Sequence, residues 1–133
     1  EEEYSLLCSS PLLERARHNG FGFLAHSPLA GGVLTGKYRH TTPPDSRAAS
    51  THLRSSVEPY LKSSLPIVEA LSQAAHGLEC SIADVALAWV EGTPGVTSAI
   101  IGPRNLVQLE QILNGRIDLP LPIRQVLSEV SAR

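Results

Sequence analysis

Phe21-Gly22-Phe23-Leu24-Ala25-His26-Ser27-Pro28-Leu29-Ala30-Gly31-Gly32 is the stretch that decides the fold class. Its first five residues are almost wholly apolar, the pattern of a strand covered on both faces in a parallel sheet flanked by helices. His26-Ser27-Pro28 and Gly31-Gly32 then break the run with turn formers. Upstream, residues 4–7 carry Tyr4, Leu6 and Leu7 and stop at Cys8-Ser9-Ser10, which predicts a brief buried strand. Ser10-Pro11 supplies an N-cap and a first helical position, Leu12, Leu13, Ala16 and Arg17 follow at helical spacing, and Asn19-Gly20 ends the helix. Strand, helix and strand at such close spacing form a compact βαβ unit.

Downstream, Pro43-Pro44-Asp45-Ser46-Arg47 lies in a polar stretch that reads as a long loop, a kind of segment that is either functional or disordered. Helix returns from Val57, with Pro66 dividing it; the second piece carries Ile67, Leu71, Ala74 and Ala75 before Gly77. Ser81-Ile82-Ala83-Asp84 has the spacing of a capping box and opens an amphipathic helix through Val85, Ala86, Leu87, Trp89 and Val90, which stops near Gly92-Thr93-Pro94-Gly95. Residues 96–101 are β-branched and apolar, a third buried strand, and Gly102-Pro103-Arg104-Asn105 leads into a helix holding Leu106, Leu109, Ile112 and Leu113. A last amphipathic segment covers residues 122–130. The order β-α-β-loop-α-α-β-α-α predicts an α/β fold with parallel strands joined by helical crossovers. Three strands are too few for a closed barrel of this class, which takes eight strands and about 250 residues. Residues 1–133 are therefore expected to form one partial domain.

The bulk properties narrow the function classes. The chain has 133 residues, 42% hydrophobic and 18% charged, and a domain of that length buries roughly two-thirds of its unfolded surface. No apolar run approaches the roughly 20 residues of a membrane span. The formal net charge is −2, and the Lys and Arg residues are scattered, which argues against nucleic acid or an anionic membrane as partner. Cys8 and Cys80 show neither a CxxC spacing nor a His ligand pattern, so no zinc site or disulfide framework is expected, and two thiols suit a cytoplasmic location. Glu1-Glu2-Glu3 runs directly into the first strand without a signal segment, as expected of a chain entered in the middle.

Ligands of α/β folds bind at the carboxyl ends of the strands, and two strand exits carry suitable chemistry. The first spans His26 to Lys37: paired glycines permit close backbone approach, Ser27 and Thr35 offer hydroxyls, and Lys37 offers a point charge for phosphate. The plainer alternative is a turn with a solvated lysine. At the second, Gly102-Pro103-Arg104-Asn105, a helix N-terminus and Arg104 together suit an anion; the alternative is a solvent-facing Arg104 beside a simple Asn105 N-cap. His26 could stack on a flat ligand or shuttle protons, or be structural. Asp45 and Arg47 could form a lid or an ordinary ion pair, and Trp89 reads as core.

Tyr4-Ser5-Leu6-Leu7, Ala25-His26-Ser27-Pro28-Leu29-Ala30-Gly31-Gly32 with Leu34-Thr35-Gly36-Lys37-Tyr38, Pro43-Pro44 to Ser46-Arg47, Val85-Ala86-Leu87-Ala88-Trp89-Val90, and Ile100-Ile101-Gly102 to Arg104-Asn105 with Gln108-Leu109-Glu110 follow one another in an order that resembles the C-terminal part of aldo/keto reductases, near the bacterial reductases and the potassium-channel β subunits. The resemblance implies the C-terminal portion of a (β/α)8 TIM barrel and NADPH-dependent reduction of aldehydes and ketones, with a small carbonyl compound as substrate and hydride transfer as the chemical step. It places His26 against the nicotinamide ring. It places Ser27, Pro28, Leu29, Ala30 and Gly31 around the pyrophosphate and its ribose, with Lys37 as the basic residue and Arg47 in the loop that folds over the cofactor. Gly102, Arg104 and Gln108 match the adenosine end, where Arg104 would pair with the 2′-phosphate.

The family's acidic and Asn pair at the adenine falls on Gln111 and Ile112, and its Gln at the carboxamide falls on Glu1. The family's catalytic Asp, Tyr, Lys and His have no counterpart here, so the chain is expected to hold the cofactor, contribute no catalytic residue or metal ligand, and be inactive alone. The competing expectation is a non-catalytic nucleotide-binding module, or a partial barrel that self-associates through open sheet edges.

Overall fold

The computed structural model describes residues 2–132 and shows an α/β fold with three parallel strands in an open sheet. The strands are β1 (Glu2–Glu3), β2 (Phe23–His26) and β3 (Val96–Ala99), in the order β1-β2-β3. The helices are α1 (Leu12–Asn19), α2 (Arg54–Ser63), α3 (Leu65–Gly77), α4 (Ile82–Glu91), α5 (Leu106–Asn114) and α6 (Leu121–Ser131). Glu2 and Glu3 pair with Ala25 and His26, while Phe23, Leu24 and Ala25 pair with Val96, Ser98 and Ala99. The register of the second pair shifts between Phe23 and Leu24, where the Phe23 N–H donates to the Thr97 hydroxyl at 3.0 Å.

The observed order differs from β-α-β-loop-α-α-β-α-α by one helix, because α2 and α3 are separate ahead of α4, and the first strand lies earlier than residues 4–7. Those residues form a tight turn, with the Ser5 N–H donating to the Cys8 carbonyl at 2.9 Å and the Cys8 N–H donating back at 3.1 Å. The turn buries Tyr4, Leu6 and Leu7, so its apolar pattern reflects core packing and not an extended ladder. Tyr4 stacks on Trp89 with ring centroids 5.7 Å apart and meets Phe23 edge-on at 5.9 Å.

The expectations that β2 is buried on both faces and that β3 is a buried strand are also corrected. Phe23 and Ala25 point into the core, whereas Leu24 is 42% exposed and His26 shares its open face. Thr97 and Ser98 of β3 are exposed. Burial thus alternates along β2, while β3 has no buried residue.

Local signals set the helix ends. The Ser10 hydroxyl accepts from the Leu12 N–H at 3.2 Å, and Gly20 stops α1 in a left-handed conformation, φ 70°. The α4 capping box is complete: the Asp84 N–H donates to the Ser81 hydroxyl at 3.1 Å and the Ser81 N–H donates to the Asp84 carboxylate at 2.9 Å. At the other end of α4, the Arg124 guanidinium donates to the Ala88 and Trp89 carbonyls, each at 2.6 Å, adding a cation at the helix C-terminus to carbonyls that also accept from the Gly92 N–H and the Thr93 hydroxyl. The Trp89 indole donates to the Ser128 hydroxyl at 3.0 Å, so α6 is tied to α4 twice. Burial pulls the Arg124 pKa down and pushes the Tyr4 phenol up, each by disfavouring its charged form. Pro66 lies in the first turn of α3, as expected, while α2 starts at Arg54 and accommodates Pro59 within it.

Candidate functional site

Both chemically suited strand exits open on one cleft of about 840 Å³. At the first, the backbone leaves β2 through left-handed residues at Ser27 (φ 51°) and then at Ala30 (φ 47°), Gly31 (φ 65°) and Gly32 (φ 96°). For a serine and an alanine this conformation costs of order 1 kcal/mol each and persists only where the surroundings enforce it. They are enforced here by a 3-10 segment, Ala30–Thr35, whose Ala30, Val33 and Leu34 side chains are fully packed in the core. Backbone bonds from Ala30 N–H to Ser27 O (2.8 Å) and from Gly32 N–H to Leu29 O (2.9 Å) close its turns.

The two glycines have steric reasons to be glycine. A Cβ on Gly31 would come within 2.7 Å of Val57 Cγ1 and 3.6 Å of an Arg47 guanidinium nitrogen. A Cβ on Gly32 would lie 2.8 Å from the Lys37 ammonium nitrogen. Two cations therefore close on a stretch of bare backbone. The Lys37 ammonium is further placed by the Tyr38 ring, 5.2 Å from its centroid, a favourable cation–π position. Thr35 donates its hydroxyl to the Gly32 carbonyl at 2.8 Å. The polar stretch after it is an ordered strap: Arg47–Ala49 form a 3-10 turn, Ala48 is buried, and its N–H donates to the Tyr38 hydroxyl at 3.4 Å.

At the second exit, Asn105 caps α5 by accepting from the Gln108 N–H at 2.9 Å, and the Gln108 side chain reaches back to accept from the Arg104 N–H at 2.8 Å. The Arg104 guanidinium donates to the Asp45 carbonyl at 2.9 Å, so the strap and α5 meet across the cleft.

His26, Ser27, Pro28, Leu29, Gly31, Lys37, Arg47, Gly102, Arg104 and Gln108 all line this cleft; Ala30 does not, because its side chain is 1% exposed and faces the core. His26 Nδ1 sits 3.3 Å from the Ser27 hydroxyl. Gln111 and Ile112 line the cleft as well, whereas Glu1 lies outside the described residues. Gly32 and Thr35, read from the sequence as close-approach glycine and hydroxyl of the first exit, line the cleft too, whereas sequence reasoning carried no site role for Ile100, Ile101, Asn114 or Gly115, nor for Ser81, Ala83 and Asp84 at the start of α4. Gly115 could have been found, since it follows Gln108 and Gln111 at intervals that return to one helix face. Nothing local marks Ser81 and Asp84 as more than a cap.

None of the three tyrosines lines the cleft: Tyr4 is in the core, the Tyr38 hydroxyl is engaged by Ala48, and the Tyr60 hydroxyl donates to the Glu3 carboxylate at 3.0 Å. Among the described residues no three His, Cys, Asp or Glu side chains group as a metal site would, and no helix is long and apolar enough to cross a membrane.

The chain is thus an α/β protein with a cleft at the carboxyl ends of its parallel strands, glycine backbone at one wall, a capped helix start at the other, and Lys37, Arg47 and Arg104 in its lining. The chain belongs to the aldo/keto reductase family, whose profile matches residues 1–128. It is 36% identical over 105 residues to the L-glyceraldehyde 3-phosphate reductase of Escherichia coli (strain K12), a match covering 77% of this chain and 30% of that protein. It is 34% identical over 115 residues to a probable voltage-gated potassium channel subunit beta of Oryza sativa subsp. japonica, covering 85% of this chain and 35% of that one. An uncharacterized oxidoreductase of Bacillus subtilis (strain 168) is 34% identical over 134 residues, covering 98% and 39% respectively. The chain thus spans about a third of the length of these curated relatives.

Proposed function

We propose that this chain is the cofactor-holding part of an NADPH-dependent reductase of aldehydes and ketones, and that it supplies no catalytic residue of its own. The observation that carries the proposal is the convergence of Lys37, Arg47 and Arg104 on one cleft whose floor is the Gly31-Gly32 backbone. The cradle fits a dinucleotide: its volume lies within the few hundred to about 1,000 Å³ usual for such ligands, and the space a Cβ would fill at Gly32 is held open beside an ammonium group.

When bound, the nicotinamide supplies a hydride for a carbonyl carbon. The chain's residues bind and orient. Lys37 and Arg47 neutralise the pyrophosphate, and the residues from Ser27 to Gly31 fix its path. His26, on the open face of the sheet, offers a flat surface to the nicotinamide. Arg104 meets the 2′-phosphate, the group that separates NADP from NAD, with a planar donor fork suited to phosphate. The tyrosines are all occupied away from the cleft, which supports a binding role without proton transfer. A cytoplasmic location accords with two half-buried thiols.

Titration of the purified protein with NADPH and NADH tests this. Binding of NADPH at least about tenfold tighter than NADH is the expected result, the scale of one charge-assisted contact. Equal affinity for the two, or none, would sink the assignment. Carbonyl-dependent NADPH oxidation by the 133-residue chain alone would overturn the claim that it is silent.

A second reading, a partial barrel that pairs with another copy, is favoured by the sheet itself. β1 and β3 each have one strand neighbour among the described residues, and Leu24 and Phe21 stand exposed nearby. Sedimentation of the chain as a stable monomer would remove it.

A further inference from the structure

Lys37 and Arg47 stand on successive bare positions of the cleft floor, the ammonium beside Gly32 and the guanidinium beside Gly31. Two like charges so placed repel. Among the described residues neither is eased by a carboxylate: the ion pairs go to Arg17, Arg39, Arg54 and Arg116. The restraints that remain are uncharged. The Thr35 hydroxyl, which donates to the Gly32 carbonyl, also accepts from the Lys37 N–H at 3.4 Å, so the Lys37 backbone is fixed and its long side chain is left to be placed. Two further restraints meet in Tyr38. The Lys37 ammonium lies over its ring, 5.2 Å from the centroid. Its hydroxyl accepts from the N–H of Ala48, the residue next to Arg47 in the strap, at 3.4 Å. Tyr38 itself does not line the cleft; it is half-buried and packs against the core.

We propose that Tyr38 is a positioning residue of the cleft, whose ring sets the Lys37 ammonium against Gly32 and whose hydroxyl holds the strap that sets Arg47 against Gly31. The proposal rests on the dinucleotide reading above, in which those two cations meet the pyrophosphate. The attraction for the ammonium comes from the face of the ring, so a phenyl ring supplies it nearly as well as a phenol. The hydroxyl performs the second task alone: without it the part-buried Ala48 N–H loses its acceptor. The two tasks are therefore separable, since Tyr38→Phe gives up the strap and keeps the ammonium, whereas Tyr38→Leu gives up both. Core packing, the rival role for a half-buried ring, acts on neither cation in particular.

The probe is NADPH, titrated calorimetrically into the intact purified protein, into Tyr38→Phe and Tyr38→Leu, and into all three with Lys37→Met or Arg47→Met added. Affinity is expected to fall about threefold in Tyr38→Phe and about tenfold in Tyr38→Leu, the scale of one neutral hydrogen bond and then one cation–π contact. The loss in Tyr38→Phe should vanish when Arg47→Met is already present. The further loss in Tyr38→Leu should vanish in the Lys37→Met background, because an effect transmitted through a residue disappears with that residue. Losses of equal size in both backgrounds, as a general loosening of the core gives, overturn the proposal, and so does native-like binding by Tyr38→Leu. Tyr38→Phe leaves the ring in place and should keep a thermal midpoint close to the native one, so the arm through Arg47 decides the matter if Tyr38→Leu does not fold. If the native protein binds no NADPH, the cofactor assignment fails before any variant is compared, and this inference falls with it.

Discussion

The two walls of the cleft come from similar pieces of chain, each a strand exit running into a helical turn, but they are anchored very differently. The Gly31-Gly32 wall is rooted in the core through Ala30, Val33 and Leu34, which are exposed by no more than 2%. The α5 wall has no fully buried residue; Leu106, Val107 and Leu113 face outward, and its cleft-side tie to the strap is one exposed bond from Arg104 to the Asp45 carbonyl. The difference teaches that the Gly31-Gly32 wall is preformed, while the α5 wall owes its position to a few polar contacts. Segments with little buried surface open at lower free energy than the core does.

The contrast is open to direct attack. Leu34→Ala removes a completely buried side chain and should cost about 2–5 kcal/mol in denaturant unfolding; a loss under about 1 kcal/mol would mean that the preformed wall is not preformed. Gly32→Ala should destabilise by about 1–3 kcal/mol through its left-handed backbone. By displacing the Lys37 ammonium it should also weaken NADPH binding, by at least about tenfold for one lost charged contact, as read by calorimetry.

On the other wall, Asn105→Ala deletes the α5 cap, worth about 1 kcal/mol to the helix. Hydrogen exchange should speed up in α5 while the global midpoint stays put, because α5 opens on its own. A matching fall in the global midpoint would show that α5 unfolds with the core. Leu106→Gln, at a side chain 67% exposed, should change stability by no more than about 0.5 kcal/mol.

Much of this was legible from residue type alone. The opening strand–helix–strand order, the Gly20 stop, the Pro66 boundary, the Ser81–Asp84 box and the Asn105 cap all depend on short-range chemistry that a sequence displays directly. Residues 4–7 were misplaced because a buried turn and a buried strand show the same apolar pattern; what separates them is the reciprocal bonding of Ser5 and Cys8. The one-sided burial of β2 and the partial exposure of β3 depend on what lies across the sheet, which an apolar run does not reveal. The candidate site was legible at both strand exits. Its enclosure by the start of α4 was not, since only the folded chain brings Ser81 and Asp84 against Asn114 and Gly115.

The contact between Gly115 and Asp84 bears on descent as well as on shape. Position 115 has ordinary helix-end dihedrals, φ −87° and ψ 10°, so nothing in its backbone demands glycine; only the neighbouring carboxylate does. Positions 84 and 115 should therefore vary together across related sequences. Where an alanine or serine has entered at 115, a smaller residue should have replaced the aspartate, and lineages keeping both bulky should be absent.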